Sequence, residues 1–286
     1  MPDLGVVVVH YRRERDLDRL LGELLEVHGL DAASIVVVDN GSDEAHIAVP
    51  RARGTRWLQL ENPGYGSAAN AGVAALPDHD RVVILTHETS MQPGALAALE
   101  AALADPTVGL AGPVLRDSRT GMIWSAGGTS GRLRALPAHR AAGELAVADS
   151  IPDAQWLDGS CLAVRRADWL HWGGFDERFF LYFEDVELGW RVSATGRRVV
   201  VVPAAIVSQA PGGALDQYLA TRNMILLLRT HRRHVALALF LAETIARLAF
   251  GGVVRPRGAR LRLSRRWAGL RDGLAGRGGP PGQVRS

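Results

Sequence analysis

The chain has 286 residues, and its 33 basic and 30 acidic side chains leave a formal charge of +3, too small a surplus to argue for nucleic acid as a partner. Apolar residues make up 47% and charged residues 22%, which excludes a disordered or collagen-like chain and fits one large domain or a domain with an appendage. A single cysteine, Cys161, excludes an internal disulfide framework and a cysteine-rich zinc site. Every cation is arginine, which suits anion binding but equally a compositional bias.

The first half alternates β-branched runs with helical spacing. Gly5-Val6-Val7-Val8-Val9 reads as a strand rather than a targeting segment, being short and followed by charged residues. Leu17, Leu20, Leu21, Leu24 and Leu25 follow at helical spacing, and Ile35-Val36-Val37-Val38 is a second strand. Arg56 to Leu60 is a third strand, followed by a glycine loop and a small-residue helix from Ser67 to Leu76. Val82 to Leu85 is a fourth, and a helix spans roughly Pro93 to Ala104. Strands apolar throughout need cover on both faces, so an α/β fold with a mostly parallel sheet and flanking helices is expected.

Beyond Val108 glycines and prolines punctuate short strands, and Pro137 to Ser150 reads as a flexible loop. A strand near Trp156 to Val164 precedes Gly173-Gly174-Phe175-Asp176-Glu177 and an acidic helix. Val199 to Val202 is another strand, with helices from about Leu215. The apolar run Val235 to Val254 contains Glu243 and Arg247, which argues against a membrane span. Arg232, Arg233, Arg255, Arg257, Arg260, Arg262, Arg265 and Arg266 flank it. A basic, amphipathic end of this kind suits either an anionic membrane surface or a packed helix with a solvated tail. The cytoplasm is the expected compartment, with peripheral contact at the inner face of the membrane as the extension of that reading.

Ligands of such sheets sit outside the carboxyl ends of the strands. There the chain places His10-Tyr11, Asp39-Asn40-Gly41-Ser42, Asn62-Pro63-Gly64 and Thr86-His87-Glu88, which are expected to converge. Asp39 can accept the N–H of a pyrimidine base or cap its own turn. Gly64-Tyr65-Gly66 opens either a nucleotide loop or a helix that needs small residues to pack closely. His87-Glu88 lacks the second histidine of a metalloprotease helix, because Met91 stands there; Glu88 can still help hold a divalent cation between pyrophosphate oxygens. In Phe179 to Arg191, aromatics can wall a pocket. Asp185, beside Glu184 at a helix start, gains from the helix dipole and can act as a general base.

In order and spacing, Val37 to Ser42, Asn62 to Gly66 and Gly174-Phe175-Asp176-Glu177 through Glu184-Asp185-Val186-Glu187-Leu188 to Arg191 resemble the family 2 glycosyltransferases of the GT-A fold, rhamnosyltransferase-like branch. The likeness covers about residues 4 to 230 and implies a glycosyltransferase domain over 1–230, with basic C-terminal helices and a flexible tail over 231–286. It implies an inverting transfer of a sugar from a UDP- or dTDP-linked donor to an acceptor hydroxyl. Asp185, supported by Glu184, would be the base. His10, Tyr11, Asp39, Gly41, Asn62, Gly64, Thr86 and Glu88 would lie on the donor side. Trp156, Asp158 and Gly159 would line the sugar and acceptor side. Magnesium or manganese is the implied cofactor, with Glu88 where the family usually carries an aspartate. A histidine common after the Val199 to Val202 strand is replaced by Ile206-Val207-Ser208-Gln209. Arg222-Asn223 resembles a family feature without an assigned role. A weakened sugar-nucleotide-binding subunit and a Rossmann oxidoreductase are the alternatives.

Overall fold

Val6, Val7, Val8 and Val9 carry no polar alternation, so the strand they form has to be covered on both sides, and it is. The computed structural model describes residues 4–282 apart from 52, 211–214 and 252–256; for 250–251 and 257–262 it describes the backbone alone. In strand β1 (Leu4–His10), Leu4, Val6 and Val8 face helix α1 (Glu14–Gly22), where Leu17, Leu20 and Leu21 are fully buried. Burying each such leucine contributes about 1.5–3 kcal/mol. Val7 and Val9 share the opposite core with Val36 and Val38 of β2 (Ile35–Asp39).

The chain continues through α2 (Ala48–Arg51), β3 (Arg56–Gln59), α3 (Tyr65–Ala74), β4 (Arg81–Thr86), β5 (Ser90–Met91) and α4 (Ala95–Ala102). The small residues of α3 let it lie close on β1: a Cβ at Gly72 would come within 2.3 Å of the Val7 side chain. Then come β6 (Val108–Asp117), β7 (Ile123–Ser125), β8 (Gly128–Ser130), β9 (Pro137–His139) and β10 (Cys161–Arg165). Helices α5 (Arg166–Trp172) and α6 (Glu184–Ala194), strand β11 (Arg198–Gln209), and helices α7 (Gln217–Thr230), α8 (His234–Gly251) and α9 (Arg257–Leu274) complete the order.

The main sheet runs β3-β2-β1-β4-β10-β6-β11-β5, with β7 paired to β6. It is parallel from β3 to β4, as the apolar runs predict, and mixed beyond. The difference comes from β10, which runs antiparallel between β4 and β6. That reversal positions the site. It brings the start of β10, not its end, to the edge where β1, β2 and β4 finish, and Thr86 N–H donates to Ser160 O at 3.0 Å.

Three sequence expectations change. The first part of the segment 137–150, expected as a flexible loop, is tied down: β9 pairs with β8, and the residues after β9 are fastened by Ile123 N–H to Glu144 O at 2.7 Å and Ala126 N–H to Arg140 O at 3.0 Å. The strand expected from Trp156 is shorter, Trp156 forming a single bridge to Gly128. The end of the chain is attached through Gly279: α9 lies along α7, the Tyr218 hydroxyl meets Asp272 at 3.0 Å, and Gly279 N–H donates to Arg178 O at 2.8 Å. Arg255 and the side chains of Arg257, Arg260 and Arg262 lie outside the described residues. Among the described residues no helix is long and apolar enough to cross a membrane.

Candidate active site

At the end of β1, Arg13 N–H donates to His10 Nε2 at 3.1 Å, so the ring proton sits on Nδ1 and goes to Asp39 Oδ1 at 3.0 Å. The other Asp39 oxygen accepts Ser42 N–H at 3.0 Å. Burial opposes ionisation of Asp39, but the hydrogen bonds from His10 and Ser42 outweigh it and hold the carboxyl below its usual range. Asp39 is therefore a turn cap and an ionised group at the strand ends together. His10 is fully buried with both ring nitrogens engaged, so it acts by fixing Asp39. Tyr11 stays exposed, with Arg12 over its ring at 5.0 Å.

The glycine loop and the aromatic segment are laced together. Tyr65 N–H donates to Phe180 O at 2.9 Å. Gly64 (φ +113°) leaves no room for a side chain, since a Cβ would stand 2.5 Å from that same Phe180 oxygen. Asn62 lies against Gly41, whose Cβ would be 3.1 Å from the Asn62 Cβ. Asn70 completes the seam, its amide donating to Phe175 O and accepting Phe175 N–H, both at 2.9 Å.

Gly159 joins this loop to the acids. Its carbonyl accepts the buried Tyr65 hydroxyl, and its N–H donates to Asp185 Oδ2 at 3.0 Å. Val186 N–H donates to Asp185 Oδ1 at 2.8 Å. Burial, then the charge of Asp158, push Asp185 up to about 6 against those two hydrogen bonds. Burial and the Asp185 charge push Glu184 well above the usual carboxylate range, and its Oε2 is buried without a partner among the described residues. Arg191 pairs with Glu187 at 2.6 Å, leaving both acids free of it. Asp158 accepts the Ser125 hydroxyl and meets His139 Nδ1 at 3.3 Å. Burial disfavours the charged imidazole, but the Asp158 contact and the Asp158 and Asp185 charges outweigh it and raise His139 above its ordinary value. Trp156 stacks edge-on against His139, ring centroids 5.0 Å apart.

Past the ends of β1 and β4 a cleft of about 690 Å3 is lined by Tyr11, Arg13, Asp16, Arg19, His87 and Glu88, with Ser208 from the segment where the resemblance expects a histidine; Asp39, Asn62, Gly64 and Asp185 are not among its lining residues. The charges of Glu184, Asp185 and Glu88 all bear on the Tyr65 hydroxyl and keep it protonated together with burial, the largest cause. Thr86, whose N–H donates to Ser160 O, has its hydroxyl buried without a partner among the described residues. No group of three or more His, Cys, Asp or Glu side chains suited to a metal occurs among the described residues. Sequence reasoning missed Arg13, Asp16, Arg19, Tyr65 and His139 as site residues, and gave Asn223 no role. The part Asn223 plays is structural. Its amide donates to Leu181 O and Tyr182 O, both at 2.9 Å, holding the left-handed pair Tyr182 (φ 76°) and Phe183 (φ 72°) that turns the chain into α6.

Residues 2–224 match a family described as glycosyltransferase like family 2. The chain is 34% identical over 230 residues to an N-acetylglucosaminyl-diphospho-decaprenol L-rhamnosyltransferase of Mycobacterium tuberculosis, covering 71% of this chain and 75% of that protein. Its fold resembles GalNAc-T7 with UDP, GalNAc and Mn2+, at TM-score 0.63 and 16% identity over 79% of this chain and 47% of that one, so it spans about half of that protein. It also resembles the Pyrobaculum calidifontis mannosyltransferase PcManGT in complex with GDP-Man and Mn2+, at TM-score 0.59 and 16% identity over 96% and 87% of the two chains.

Proposed function

Because the chain belongs to the glycosyltransferase-like family 2, we propose that it is an inverting enzyme carrying a sugar from a UDP- or dTDP-linked donor to an acceptor hydroxyl, with Asp185 as general base. The name of its mycobacterial relative supports rhamnose as the sugar and a diphospho-polyprenol-linked saccharide as the acceptor. The observation that carries the reading is the Gly159 peptide, which ties the glycine loop through Tyr65 to Asp185 at 3.0 Å.

Asp185 takes the proton of the acceptor hydroxyl as its oxygen attacks the anomeric carbon. With a pKa pushed up to about 6, it is a stronger base than an ordinary aspartate, yet about ten parts in eleven remain carboxylate at pH 7. Attack on the face opposite the leaving nucleoside diphosphate inverts the anomeric centre. Burial and the neighbouring Asp185 raise Glu184 well above the usual carboxylate range, which disfavours a second negative charge beside the base. Arg13 and Arg19 offer positive charge to the departing diphosphate from the cleft wall. A cation bound largely through substrate oxygens and water needs only one or two protein carboxylates, which Glu88 and Asp16 in that cleft supply. When bound there, magnesium or manganese would offset charge on the leaving diphosphate.

Nucleoside diphosphate release from UDP-, dTDP- and GDP-sugars with magnesium or manganese tests the reading. Release from a UDP- or dTDP-sugar is expected. A nucleotide-induced rise in Tm with no release from any donor would mark a binding subunit instead. Glu88→Gln is expected to raise the cation concentration for half-maximal rate; an unchanged dependence removes Glu88 from the cation's ligands.

A further inference from the structure

Away from the donor cleft, the turn between β8 and β9, α6 and the residue before α8 enclose a pocket of about 160 Å3. Its polar lining consists of hydrogen-bond donors to spare. Arg132 and Arg233 line it, and neither meets a carboxylate within ion-pair distance among the described residues. Arg233 lies over the Trp190 ring, 5.5 Å from its centre, which leaves the edge of the guanidinium available. The Ser130 hydroxyl is buried without a partner among the described residues. Gln155 uses its carbonyl oxygen to accept Ser130 N–H at 2.8 Å and keeps its NH2 as a donor. No acidic side chain lines the pocket. Two guanidiniums, a hydroxyl and an amide around so small a volume suit a diphosphate.

Two residues beyond Arg233 begins an apolar stripe that no described residue covers, bordered by the exposed Glu243–Arg247 pair. Val235, Ala238, Leu239, Ala242, Ile245 and Ala246 recur at three- and four-residue spacing along α8, and all are exposed, Val235 to 61% and Ile245 to 56%. The opposite face of the helix is the one that joins the core, through Ala236, Leu237 and Phe240. A surface helix ordinarily turns charge to the water; an exposed apolar stripe of this length marks an interaction site.

We propose that the two features hold one amphiphile: the diphosphate of a lipid-linked acceptor in the Arg132–Arg233 pocket, and its apolar chain along the outer face of α8. The proposal rests on the glycosyl-transfer reading and extends it to the acceptor. The reach is right. Gln155 is three residues before Asp158, at most about 11 Å along the chain, and Asp158 adjoins the Asp185 carboxylate. That span accommodates one sugar ring and its linking oxygen between base and diphosphate.

Calorimetric titration of the full chain with farnesyl diphosphate, inorganic diphosphate and farnesol, each with saturating UDP or dTDP, tests it. Farnesyl diphosphate is expected to bind at least tenfold tighter than either fragment, undisplaced by nucleotide. Arg132→Ala and Arg233→Ala should each weaken it about tenfold or more, leaving nucleotide binding and Tm unchanged. Leu239→Glu with Ile245→Glu should reduce its affinity to that of inorganic diphosphate. Displacement by nucleotide, or unchanged affinity in both arginine variants, would overturn the proposal. So would loss of sedimentation with phosphatidylglycerol vesicles in those variants at unchanged farnesyl diphosphate affinity, which would assign the arginines to lipid headgroups. These are binding measurements; failure of the wild-type chain to turn over any nucleotide sugar counts against the transfer reading alone.

Discussion

Glu184 and Asp185 are neighbours in sequence with different environments, and the difference is one of donors. Asp185 receives two backbone N–H groups, from Gly159 at 3.0 Å and Val186 at 2.8 Å, while Glu184 Oε2 receives none among the described residues. Burial lifts both, Glu184 well above the usual carboxylate range and Asp185, with its two donors, to about 6. The rate of transfer should therefore climb with pH through about 6 and level off above about 7; a profile flat from pH 5 to 8 contradicts this. The same shift bears on stability. Asp185 rises from an ordinary 3.8 to about 6, so the folded state prefers the protonated acid. That stabilisation is complete below pH 3.8 and is lost as pH rises through about 6. Its size is on the order of 3 kcal/mol, at about 1.4 kcal/mol per pH unit. Asp185→Asn, uncharged at every pH, is accordingly expected to raise Tm relative to wild type at pH 8 more than at pH 5, and an equal difference at both would refute the buried-carboxylate cost.

Between elements, the site depends on two seams. The first fastens the loop before α3 to the loop before α6 through Gly64 and Phe180. Gly64→Ala puts a Cβ into a left-handed backbone and against a carbonyl; a loss of about 2 kcal/mol or more in stability is expected, with weaker nucleotide binding. Unchanged denaturation and nucleotide affinity would show that the seam has slack. The second seam is Asn223 of α7 beneath the turn into α6. Two consecutive left-handed residues there cost about 1–3 kcal/mol each, which the two amide hydrogen bonds help to offset. Asn223→Asp keeps the size and loses the donors. It should lower kcat about tenfold, with the donor KM unchanged, because α6 carries Asp185; kcat and donor KM falling together, or neither moving, would deny Asn223 that positioning role.

Across the whole molecule, what could be read from the sequence was what is local. The valine runs of β1 and β2 announce buried strands, and Asp39 at the end of β2, Asn62 beyond β3 and Glu88 beyond β4 lie at one edge of the sheet because parallel strands finish together. The roles of Tyr65, His139 and Asn223 escaped notice for the opposite reason. Each is chosen by a partner 94, 19 or 42 residues away in the chain, with no local pattern to mark it. The strand that forms β10 was expected, with Gly159 beside it at the site, but its direction was not, since an apolar run has none and only the pairing with β4 and β6 sets it antiparallel. The docking of α9 on α7 was likewise invisible in an arginine-rich stretch that reads as solvated tail. Under the proposed reading, a base on α6 serves a nucleotide held at the ends of β1, β2 and β4. The most direct test is the rate of nucleoside diphosphate release by Asp185→Asn with acceptor present and nucleotide saturating. A fall of about 100-fold to 10,000-fold with the nucleotide Kd unchanged is expected; release at the wild-type rate would contradict it.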